Sequence, residues 1–171
     1  NYVMGERALR HEDATSDDLE AMSEIVSEGL NAGALGFSTS RTIGHRSILG
    51  EPIPGTFAEK AELLAIGRAM KKVNKGVFQA VPAGVVGDIA GPEKWTTEQE
   101  VELFAEIARE SGRNCTFTLA QNGNRPDQWR NCLDIVEKAN AEGISITPQI
   151  ATRPIGFVTN IQTYHMFQRR E

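Results

Sequence analysis

The chain has 171 residues, of which 40% are hydrophobic, and carries a formal net charge of −5 at pH 7. This length suits one domain of ordinary size, and the acidic balance argues against nucleic acid or an anionic membrane as a partner. No apolar run approaches the roughly 20 residues that span a bilayer, and no charged-then-apolar leader opens the chain. The cysteines, Cys115 and Cys132, form no CxxC motif, so we expect two reduced thiols in a cytoplasmic protein.

Capping signals and glycines predict four helices, each followed by a strand. Three capping boxes open the first three helices: Thr15 with Asp18, Thr56 with Glu59, and Thr97 with Glu100. Pro126 suits the first turn of the fourth helix. A glycine ends each helical pattern, and a short apolar run follows it. The four predicted strands are 34–38, 77–81, 115–120 and 144–150.

The order of these elements predicts an α/β fold built from parallel βα repeats. Each connection between strands contains a helix, which indicates a parallel sheet with right-handed crossovers. Four such repeats fit either a doubly wound sheet or part of a (β/α)8 TIM barrel. The loops after strands are long (39–56, 82–96 and 121–126), whereas those after helices have only a few residues. The long loops therefore all lie on one face of the sheet, as in TIM-barrel enzymes, and this favours the barrel.

Both ends of the chain look cut. Tyr2-Val3-Met4 has the character of the end of a strand, and Phe167–Glu171 shows no helix cap or turn signal. We therefore expect residues 1–171 to be one partial barrel segment, truncated at both ends.

The loop after the first strand carries the first group of candidate substrate-binding residues: Arg41, His45 and Arg46. Loops at the carboxyl ends of strands carry the chemistry in α/β folds. We expect these side chains to line a binding pocket, and the alternative is that His45 is an ordinary surface-loop histidine. The serines of this loop have no GxSxG elbow, so no catalytic residue is assigned.

A second group of candidates follows the later strands: Gln79, Gln121, Gln149 and Arg153. Amides and guanidinium groups hold carboxylates through directed hydrogen bonds, so we expect a polar rim. The alternative is that the glutamines are satisfied polar residues within the barrel layers.

Metal and phosphate motifs are absent from the sequence. The histidines, His11, His45 and His165, form no HxH, HxxxH or HExxH pair, so no metal ligand is assigned. His11 fits a solvated charged loop and His165 a packing role. The glycine-rich run 82–91 matches neither nucleotide motif and fits a connector or a mobile loop.

Several segments resemble one enzyme group. The most specific are the pair GFSTS at 36–40 and PGTFA at 54–58, supported by MGERA at 4–8 and PQIATRPIG at 148–156. Over nearly the whole chain, the sequence resembles the N-acyl-D-amino-acid deacylase (D-aminoacylase) group of the amidohydrolase superfamily.

The resemblance implies a (β/α)8 barrel in which this chain supplies strands four to seven. It also implies hydrolysis of a non-peptide C–N bond, in an N-acyl amino acid or a related amide, by water that a divalent metal, usually zinc, activates. Val81 and Leu119 stand where the group has histidines on strands five and six, so the ligands implied are outside this chain. The alternative is a non-catalytic, metal-depleted barrel that binds a small carboxylated ligand.

We also expect this piece to be inactive on its own. Half a barrel leaves apolar strand edges bare, and we expect the piece to self-associate through them.

Overall fold

The computed structural model describes residues 1–85, 95–153 and 161–162. Within them, two helices precede the first strand and one helix precedes each later strand. Residues 2–5 form a turn before the first helix, so the strand end predicted at Tyr2-Val3-Met4 is wrong. The strands are β1 (Gly36–Ser40), β2 (Val77–Val81), β3 (Cys115–Thr118) and β4 (Ile146–Gln149). The helices are α1 (Glu6–Leu9), α2 (Ser16–Asn31), α3 (Lys60–Val73), α4 (Thr97–Ser111) and α5 (Gln128–Ala141).

The four strands form one parallel sheet in the order β1-β2-β3-β4. The predicted parallel sheet of βα repeats is confirmed, and it is consistent with part of a TIM barrel. The position of these strands within a whole barrel stays a prediction.

Alternation along the strands separates an apolar face from a polar one. Phe78, Ala80, Cys115 and Phe117 are fully buried on the face toward the helices, where the rings of Phe104 and Phe117 lie 5.9 Å apart. Side chains of paired residues in a parallel sheet share a face. The register therefore brings Ser38, Gln79, Thr116 and Thr147 into one row on the opposite, polar face.

β1 spans Gly36–Ser40 rather than the predicted 34–38, and its first residue approaches β2 closely. Gly36 pairs with Val77, and a Cβ at Gly36 would lie 2.0 Å from the Val77 carbonyl oxygen. Gly76 precedes this contact with φ 87°, and a Cβ there would meet Leu30 Cδ2 at 2.7 Å. Only glycine fits both positions.

Two of the three predicted capping boxes differ from the structure. The box of Thr15 and Asp18 is confirmed at the start of α2. The prediction for α3 is wrong, because its N-cap is Glu59 and the Thr56 hydroxyl donates to the Ile53 carbonyl at 2.7 Å.

The third box is displaced by one residue. Thr96 and Gln99 cap α4, whereas Thr97 and Glu100 are buried. α5 begins at Gln128, two residues after Pro126. Among the described residues, no helix has the length and apolar character needed to cross a membrane.

Candidate functional site

The carboxyl ends of the four parallel strands meet at one edge of the sheet, where the long loops lie. Two cavities open there among the described residues. The first, of about 620 Å³, lies beside β1, α2 and the start of α3. The second, of about 450 Å³, lies beyond the ends of β3 and β4.

His45 lies at the first cavity and is placed by the last residue of β1. Its Nδ1 lies 2.6 Å from the Ser40 hydroxyl, and both side chains line the cavity. A hydrogen bond on one ring nitrogen orients the imidazole and leaves the other nitrogen for a ligand. The cavity floor is apolar and includes Phe37, Val26 and Ile66.

The first cavity carries acidic side chains at its mouth. Glu12, Asp13, Glu59 and Glu62 line it, and burial raises the pKa of Glu62. His11 also lines it and packs edge-on against Phe57 with ring centroids 4.8 Å apart, so His11 is less solvated than expected. Glu12 is paired with Arg7 and Arg10, so the negative charge that disfavours a carboxylate ligand comes from Asp13, Glu59 and Glu62.

Arg41 lies in the protein interior rather than in either cavity. Its Nε donates to both Glu100 carboxylate oxygens, at 2.7 and 2.9 Å, and its Nη1 donates to the Ala58 carbonyl at 2.6 Å. Arg41 is 5% exposed, and its guanidinium lies 5.6 Å from the centre of the Trp95 ring. Among the described residues, Arg41 lines neither cavity, so the structure offers no place at these cavities for the expected contact between Arg41 and a substrate.

Arg46 shapes the loop that carries His45. Its Nη1 donates to the Gly50 carbonyl at 2.6 Å, and Arg46 forms an isolated antiparallel bridge with Pro52. Arg46 does not line the first cavity. Its side chain closes the turn that directly follows Arg46 in the sequence.

The second cavity brings together two of the predicted residues, Gln121 and Arg153. Trp129 and Ile150 contribute apolar surface to the same cavity, and the guanidinium of Arg130 lies 4.2 Å from the Trp129 ring centre. None of the described residues that line it is acidic. One cation, one amide and an apolar wall suit a carboxylate that carries an apolar group.

Gln79 and Gln149 lie on the polar face of the sheet, outside both cavities. The Ser38 hydroxyl donates to Gln79 Oε1, which holds the amide within the polar row. Gln149 pairs in register with Thr118 and is exposed at the end of β4.

The described residues do not fit a metal ion. No group of three or more His, Cys, Asp or Glu side chains among them could hold one. Burial raises the pKa of Cys115 to about 12 and that of Cys132 to about 11, so neither thiol is a ready thiolate ligand. His165 and residues 86–91 of the glycine-rich run lie outside the described residues.

Three residues important to the site were not predicted as part of it: Ser40, Trp129 and Glu100. Trp129 has a usable signal, because it is an aromatic residue at the start of the helix that follows a rim loop. The role of Glu100 has no local signal, since its partner is 59 positions away.

Comparisons with known proteins agree with the fold. No family model and no curated protein sequence matches the chain. Three solved D-aminoacylase structures do, with TM-scores of 0.59–0.61 and 20–21% sequence identity over 81–86% of this chain. One defines a novel subset of amidohydrolases, one is a variant in complex with CuCl2, and one concerns a binuclear metal center.

The resemblance predicted from the sequence motifs is thereby confirmed as a likeness of fold. The chain spans only 26–27% of the length of these D-aminoacylase chains.

Proposed function

We propose that this chain is the substrate-binding segment of an amidohydrolase that cleaves a non-peptide C–N bond in an N-acyl amino acid or a related amide. The observation that carries the proposal is the likeness of fold to D-aminoacylase structures over most of the chain. The GFSTS and PGTFA motifs add to it, because they lie in β1 and in the loop after it, at the edge where such folds bind ligands.

The second cavity binds the substrate carboxylate in this proposal. Arg153 supplies the charge and Gln121 an amide donor, while Trp129 and Ile150 contact the apolar side chain of the amino acid. The electrostatics of the two cavities support this assignment, since among the described residues four carboxylates line the first cavity and none lines the second.

His45 contacts the acyl or amide end of the substrate. The hydrogen bond from Ser40 orients its ring at the first cavity, which opens beside β1, while the carboxylate site lies beyond β3 and β4. Gln79 and Gln149 contribute polar groups from the face of the sheet between these positions. Arg46 acts indirectly, by holding the turn next to His45.

The divalent metal, which we propose to be zinc, is held by residues outside those described, because the described residues have no side-chain cluster that fits one. When bound, such a metal supplies an activated water in amide hydrolysis. The contribution of this segment is to bind and orient the substrate.

A cytoplasmic location belongs to the same proposal. Cys115 and Cys132 are free and buried, and structural disulfides are rare in the reducing cytoplasm.

The first test measures the full-length protein. We expect stoichiometric bound metal and hydrolysis of N-acyl amino acids. Stoichiometric metal without hydrolysis of any N-acyl amino acid or related amide would overturn the proposed reaction, and absence of metal would favour a binding protein instead.

The second test locates the carboxylate. In the full-length protein, we expect Arg153→Ala to lower kcat/KM for an N-acyl amino acid at least tenfold, mainly through KM, because a charge-assisted hydrogen bond is lost. The matched control is Arg109→Ala, which removes an exposed arginine that pairs with Glu142 on the helix side. For a substrate whose carboxylate is replaced by a carboxamide, the Arg153 effect should shrink to within about threefold. An equal loss on both substrates would show that Arg153 does not bind the carboxylate.

A further inference from the structure

The first turn of α4 contacts the loops that follow three different strands. Glu100 binds Arg41 in the loop after β1, and the Thr97 hydroxyl donates to the Ala83 carbonyl after β2 at 3.2 Å. Glu98 binds Arg125 in the loop after β3. These three contacts come from four consecutive positions of one helix.

The contact with the loop after β1 is a buried ion pair. The side chains of Arg41 and Glu100 are 4% and 0% exposed, and Arg41 also donates to Ala58, just before α3. An apolar pair of similar volume often gives equal or greater stability than a buried ion pair. Stability alone therefore does not account for the two charges, whereas a requirement for one fixed loop geometry does.

The contact with the loop after β3 is a second hydrogen-bonded cluster. Arg125 donates to both oxygens of Glu98, at 2.6 and 3.1 Å, and Asn131 Nδ2 donates to the same carboxylate at 3.3 Å. Gln128, the first residue of α5, donates through Nε2 to the Thr97 hydroxyl at 2.5 Å. The bidentate geometry fixes orientation as well as distance.

The ion pair is connected directly to the residues at the first cavity. Arg41 follows Ser40, and its backbone N–H donates to the Val81 carbonyl at 2.8 Å, which extends the β1–β2 ladder by one residue. Ser40 in turn holds His45. Fixing the Arg41 side chain in the interior thus fixes where the chain leaves the sheet and where the His45 loop begins.

We propose that the first turn of α4 is the positioning centre of this edge of the protein. Thr97, Glu98 and Glu100 hold the loop after β1, the chain at Ala83 after β2 and the loop after β3 in one arrangement. Glu100 acts on Ser40 and His45 through Arg41. They are positioning residues, and the proposal does not depend on which reaction the protein performs.

The test compares two Glu→Gln changes on the same helix in the full-length protein. Glu100→Gln removes the buried charge, whereas Glu106→Gln removes the exposed partner of Lys60, 2.6 Å away in α3. Hydrogen–deuterium exchange with mass spectrometry follows peptides from residues 41–58 and from the strands. The exchange of the His45 imidazole C2 proton, which is far slower, is followed in separate long incubations after the amide deuterium has been exchanged back.

We expect Glu100→Gln to speed amide exchange in 41–58 at least tenfold and to change the His45 C2 exchange rate at least twofold, with β2 and β3 unchanged. Glu106→Gln should leave all of these within a factor of two. Unchanged exchange in 41–58, or faster exchange spread equally over the strands, would overturn the positioning role.

A double change, Arg41→Met with Glu100→Met, separates positioning from folding. It removes both charges, so no unpaired charge is left buried. We expect wild-type exchange in β2 and β3 but fast exchange in 41–58 and an altered His45 rate. Wild-type behaviour at His45 would show that any well-packed pair suffices, which contradicts the proposal.

Discussion

At the scale of single residues, Asp18 gives a pH dependence whose sign is fixed by its contacts. Its carboxylate accepts from the Thr15 backbone N–H at 2.8 Å, from the Thr15 hydroxyl at 2.8 Å and from Arg7 at 2.8 Å, and these bonds lower its pKa from 3.8 to about 2. A carboxyl group whose pKa is lower in the folded state than in the unfolded state stabilises the fold at pH values above its unfolded-state pKa. This stabilisation is lost as the pH falls through the folded-state pKa. We therefore expect the free energy of unfolding to decrease as the pH is lowered from about 4 to about 2.

The change Asp18→Asn checks this prediction by urea unfolding at a series of pH values. We expect the variant to be less stable at pH 7 and to show a flatter pH dependence between pH 4 and 2. The control is Asp17→Asn, in the same first turn of α2. A variant that keeps the wild-type slope would assign the acid sensitivity to other carboxylates.

At the scale of the secondary-structure elements, the sequence predicts most of what local chemistry decides. β2 has the predicted bounds, and α2 begins with the predicted capping box. Before α4, however, both Thr96 with Gln99 and Thr97 with Glu100 satisfy the capping pattern. The buried partner of Glu100, which lies 59 positions away, decides between them. The same long-range ion pair explains why Arg41, which the local sequence places in a rim loop, lies in the protein interior instead.

The contact between β1 and β2 gives the prediction at this scale. Gly36→Ala would place a methyl group against the Val77 carbonyl. We expect it to lower the free energy of unfolding by about 2 kcal/mol or more, because the two paired strands must move apart to relieve the steric overlap. Gly29→Ala is the matched control, since it lies in α2 with nothing within 4 Å of its added Cβ. It should raise stability by up to about 1 kcal/mol through helix propensity. Thermal unfolding measures both, and equal effects would show that the close approach at Gly36 is not constraining.

At the scale of the whole molecule, the open edges of the sheet decide how the 171-residue chain behaves alone. β1 pairs only with β2 and β4 only with β3 among the described residues, so each presents unpaired backbone groups. Leu35 and Ile150, next to these edges, are 92% and 63% exposed. Edge pairing with another copy satisfies the backbone and buries such side chains, and we therefore predict that the isolated chain self-associates.

Sedimentation velocity over a range of concentrations measures this association. We expect species larger than the 18.7 kDa monomer, with a share that grows with concentration. A lysine at an edge position opposes strand pairing, so we expect Thr147→Lys on exposed β4 to reduce the association. The control is Glu137→Lys at an exposed position of α5, which should not reduce it. A chain that stays monomeric at every concentration and unfolds in one sharp transition would show that four βα repeats are sufficient without partners at their edges.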